Sequence, residues 1–103
     1  MGVLSDKLRM IEESIEALPN FDWDKCVNSA QITTEYGYMM DIVSEHILEL
    51  KKNAPNNEIV GELDRLKKLF YDYSTLTKYP SEQEKAMQIM KEIVNNLKDC
   101  YPA

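Results

Sequence analysis

Apolar residues recur three and four positions apart in four stretches of this chain. Leu4, Leu8, Ile11, Ile15 and Leu18 form the first stripe, and Ile32, Tyr36, Met39, Val43, His46 and Leu50 a second seam. Ile59, Leu63, Leu66, Phe70 and Tyr73 form the third, flanked by Leu69 and Leu76, and Met87, Met90, Ile93, Val94, Leu97 and Tyr101 the fourth. No stretch alternates apolar and polar residues one for one, so the period is that of a helix. Three breaks, Leu18-Pro19-Asn20, Asn53-Ala54-Pro55-Asn56 and Tyr79-Pro80-Ser81, separate the helices. Proline has no backbone N–H and disfavours helical geometry in the residue before it. The pattern predicts an all-α, antiparallel up-down four-helix bundle, a single helical domain over residues 1–103.

Local signals place the helix ends. Ser5 is a good N-cap for a first helix ending near Ala17, and Asp22 for a second, with Phe21 and Cys26 spaced as a hydrophobic staple. The third is expected from Asn56 or Asn57 to about Lys78. Ser81-Glu82-Gln83-Glu84 has the spacing of a capping box at the start of the fourth. A second helix continuous from Asp22 to Lys52 would be about 45 Å long, more than its neighbours can cover. Asn28, Ser29, Thr33, Thr34 and Gly37 are weak helix formers, so a kink or break is expected between Ser29 and Gly37.

Charge narrows the partners. Twelve Lys and Arg against eighteen Asp and Glu leave a net charge of -6, which repels phosphate backbones and anionic lipid heads. Neither nucleic acid nor membrane is an expected partner. No apolar run approaches the roughly 18 residues that span a bilayer, and acids run through the first helix, unlike a targeting peptide; the expected compartment is the cytoplasm. Cys26 and Cys100 fall at opposite ends of an up-down bundle and read as two free thiols.

Catalytic equipment is sparse. His46 is the only histidine, so a site needing two imidazoles is closed, and no glycine-rich phosphate loop exists. The stretch His46-Ile47-Leu48-Glu49-Leu50-Lys51-Lys52 resembles the histidine-phosphotransfer domain, itself a four-helix bundle. That family places Lys and Gly soon after an exposed histidine. Here Glu49 and Leu50 follow, and His46 lies on the apolar seam, so it reads as a structural, at least half-buried histidine. Glu12-Glu13-Ser14-Ile15-Glu16 resembles the Glu-Glu-x-x-Glu of MazG-like nucleotide pyrophosphohydrolases, which bind magnesium. The partner Glu-x-x-Asp is missing: the nearest arrangement is Asp41 followed by Glu45. No metal or other cofactor is expected, and an enzyme is the third-ranked reading.

Protein binding ranks first. Up to Asn53 ten acids face five bases, whereas from Ala54 onward eight face seven. Glu12, Glu13 and Glu16 close the first helix, Asp22 and Asp24 open the second, and Phe21 and Trp23 sit in the turn. An antiparallel third helix brings Tyr73 and Tyr79 to the same end. Aromatics ringed by carboxylates suit a patch for a basic protein partner. By analogy of fold class with small helical inhibitor and immunity proteins, the expectation is an inhibitor, immunity, antitoxin-type or adaptor protein. A homo-oligomeric structural or regulatory subunit, such as a homodimer, is the alternative, because the second helix has more apolar circumference than one core face needs.

Overall fold

The computed structural model describes residues 2–20, 30–76 and 78–102, with residues 30–35 described as backbone. Four helices pack together: α1 (Val3–Ala17), α2 (Ala30–Lys52), α3 (Asn57–Tyr73) and α4 (Pro80–Leu97). Short 3-10 turns follow α1 at Leu18–Asn20 and α3 at Ser74–Leu76, and no strand occurs among the described residues. Each helix packs on its neighbours in chain order, and α1 closes the ring against α4.

The helices meet through the predicted faces. Leu8, Ile11, Ile15 and Leu18 are buried, as are Leu63, Leu66, Phe70 and Tyr73, and all six inward residues assigned to α4. On α2 the core positions are Val43, Ile47 and Leu50, with Tyr36, Met39 and Met40 half-buried beside them. Ile47 thus occupies the place in the seam expected for His46. It lies four residues after Val43 and three before Leu50, and an aliphatic chain fills that position without burying a polar ring. Among the described residues the core holds no buried charged or polar residue.

Several helix ends differ from expectation. The Asn56 side chain does cap α3, accepting from the Ile59 N–H at 3.0 Å. Helix α1, however, begins at Val3 with Gly2 as its N-cap; the Gly2 carbonyl accepts the Asp6 N–H and the Ser5 hydroxyl, both at 2.8 Å. Closing the turn two residues before Ser5 brings Leu4 into the helix against the core. Pro80 takes the first position of α4, where its missing N–H costs nothing, and the Tyr79 carbonyl accepts from Glu82 and Gln83. Ser81 falls inside the first turn, so the capping box does not form.

The third helix stops at Tyr73 rather than near Lys78. Ser74 and Thr75 donate their hydroxyls to the carbonyls of Tyr71 and Asp72, at 3.0 and 2.7 Å, as the helix tightens into its 3-10 turn. Gln83 then donates to the Tyr73 carbonyl at 3.2 Å, tying the start of α4 to the end of α3. Helix α2 runs unbroken from Ala30 through Gly37 to Lys52; Ser29 lies outside the described residues.

Two tyrosine hydroxyls tie α2 to the rest of the bundle. Tyr36 donates to the Phe70 carbonyl at 2.6 Å, and its ring lies parallel to that of Phe70 with centroids 6.2 Å apart. At the other end the buried Tyr101 hydroxyl donates to the Leu50 carbonyl at 2.7 Å. Tyr101→Phe is expected to lower unfolding free energy in a urea titration by only about 1 kcal/mol, since the Leu50 carbonyl keeps the Asn53 N–H at 3.2 Å. Phe70→Ala, which empties a fully buried site, should cost about 3–5 kcal/mol.

Burial pushes the Tyr36 hydroxyl up to about 12, and burial raises Tyr73 and Tyr101 as well. Each has a folded pKa above its unfolded value, so the stabilisation is complete below about 10 and is lost as pH rises through the folded values. Absorbance of tyrosinate during a base titration should show these rings ionising late, together with unfolding.

Candidate functional site

The acidic corner is only partly assembled among the described residues. Glu12, Glu13 and Glu16 lie on α1, but Glu12 is engaged by Lys98, Nζ to Oε2 2.8 Å, which cancels much of its charge. Glu13 and Glu16 are exposed. Tyr73 is 5% exposed and belongs to the core, so its ring offers nothing to a partner, whereas Tyr79 is 60% exposed at the start of α4. Phe21, Asp22, Trp23 and Asp24, which supply the rest of the predicted patch, lie outside the described residues, as does Cys26. Cys100 is a free, half-buried thiol.

His46 is half-buried on α2, facing α1. Its Nε2 is fully buried and has no hydrogen-bond partner among the described residues. Burial pushes the imidazole below its ordinary 6.5, and Lys7 across the α1–α2 boundary pushes it further; Glu45 acts the other way. Such a ring favours the neutral form, and the burial of Nε2 keeps that nitrogen from reaching a phosphoryl donor. Neither Glu12, Glu13 and Glu16 nor Asp41 and Glu45 form a metal cage: no group of three or more His, Cys, Asp or Glu among the described residues is placed to hold an ion.

Two other features dominate the surface, and both involve α2. On its outer side Tyr38, Asp41, Glu45, Leu48 and Glu49 recur at three- and four-residue spacing and so share one face. Tyr38 is 70% and Leu48 51% exposed, unusually high for such side chains at mid-helix. Of these carboxylates only Glu49 is engaged among the described residues, by Lys52 at 3.4 Å. Sequence reasoning counted the apolar excess of α2 but missed Tyr38, whose signal was a bulky ring on the row that also carries the acids.

The second feature is a groove of about 440 Å³ between α2 and α3, lined by Met40, Asp41 and Ser44 on one side and Asp64, Lys67, Lys68 and Tyr71 on the other. Asp64 is paired with Lys51 at 2.7 Å, but Asp41, Lys67 and Lys68 make no ion pair among the described residues. No helix of the described residues is long and apolar enough to cross a membrane. Comparison with protein-family models, with curated proteins and with solved structures finds no match for this chain.

Because His46 is the only imidazole, its titration is read from one set of ring proton resonances. The expected midpoint is below 6.5. The unfolded chain then takes up the proton first, so stability present above about 6.5 falls as pH drops through the folded value. His46→Leu should flatten that part of the stability profile; a midpoint above 6.5 would contradict the burial of Nε2.

Proposed function

We propose that this chain is a protein-binding module of the inhibitor, immunity, antitoxin or adaptor kind, acting on a partner with a basic surface. The observation that supports it is the outer face of α2, where Tyr38 and Leu48 stand exposed among Asp41, Glu45 and Glu49. Tyrosine and leucine supply apolar anchor area, and the carboxylates, of which Asp41 and Glu45 make no ion pair among the described residues, select a cationic partner and speed its approach. The overall charge of -6 favours the same class of partner at long range.

The proposed anchor is thus Tyr38 on α2, whereas Trp23 of the acidic corner lies outside the described residues. Affinity capture with the tagged chain, followed by titration calorimetry on the protein retained, tests this. A basic protein should be retained at low salt. Tyr38→Ala should weaken it about tenfold or more, mostly through faster dissociation, and Glu45→Lys should slow association. Retention of an acidic protein, or affinities unchanged by both substitutions in folded variants, would reject the reading.

A further inference from the structure

We propose that the groove between α2 and α3 is a self-association surface, filled by the same groove of a second copy of this chain. With six excess negative charges two copies repel one another over most of their surface. The groove is different, because its two banks carry opposite charges that make no ion pair among the described residues: Asp41 on α2, and Lys67 and Lys68 on α3. These residues line one groove and therefore stand at about the same height along the bundle.

A two-fold axis running along the groove turns this arrangement into complementarity. Rotation by half a turn about that axis preserves height and exchanges the banks, so α2 of one copy faces α3 of the other. Each Asp41 then meets the partner copy's lysines, giving two equivalent sets of ion pairs, as an isologous interface requires. Tyr71, 60% exposed on the lysine bank, falls on the half-buried Met40 of the opposite bank, so each copy contributes an aromatic anchor and receives one. Pairing with Lys51 holds Asp64 away from the exchange and leaves the lysines available. The inference shares Asp41 with the outer-face binding reading but does not rest on it, since Tyr38, Glu45, Leu48 and Glu49 form no part of the groove lining.

Sedimentation equilibrium on the full chain tests it. The wild type should show twice the 12.0 kDa chain mass at high concentration. Asp41→Lys and Lys67→Glu should each weaken the dimer about tenfold or more by placing like charges opposite one another. An equimolar mixture of the two variants, or one chain carrying both substitutions, should recover association, because the reversed charges again meet their opposites. That recovery also excludes misfolding as the cause of the loss. A monomeric mass at about 1 mM protein, a dimer indifferent to either reversal, or failure of the doubly substituted chain to recover would overturn the proposal.

Discussion

Everything in this bundle depends on keeping charge out of its centre. The core is built from aliphatic, methionine and aromatic side chains, and Tyr36 and Tyr101 carry their hydroxyls to backbone carbonyls. An uncompensated buried charge costs several kcal/mol, a large share of what a domain of this size has in total. All the acids and bases therefore compete for a small exterior. The surface becomes a map of charge in which position along a helix decides what each residue meets: Glu12 finds Lys98, Lys51 finds Asp64, and the outer row of α2 finds mostly water.

Helix α2 stands between α1 and α3 and makes most of that map. Its inner seam of Val43, Ile47 and Leu50 holds the bundle, one flank places His46 against α1, and the other forms a bank of the groove. What remains faces outward and bears a tyrosine and a leucine that no helix of the described bundle covers. A rigid helix of this kind holds anchors at fixed spacing, so little conformational entropy is lost when a partner docks on it.

The fold was legible from periodicity, because a 3.6-residue stripe and a proline have local physical meanings. Leu63, Leu66 and Phe70, or Met90, Ile93 and Leu97, could be assigned to the core from spacing alone. Helix ends were less legible where two local solutions compete. Ser5 and Ser81 both look like caps, but a glycine carbonyl at one end and proline at the other close the first turn earlier. The candidate surfaces were the least legible. Polar faces can be read from α2 and α3 separately, yet whether Asp41 lies beside Lys67 depends on the sense in which the bundle winds. Tyr73 illustrates the same gap from the other direction: spacing alone allowed both a core ring and a surface ring at that end.

The way α1 closes against α4 bears on how the chain meets its own synthesis. Domains emerge from the ribosome N-terminus first, so α1, α2 and α3 are exposed to the cell while the trough that Met90, Ile93, Val94 and Leu97 will fill is still open. Nascent chains in that state present apolar surface to one another. The acids concentrated before Asn53 are by then already displayed, and like charge on two such chains opposes their association until the fourth helix covers the trough.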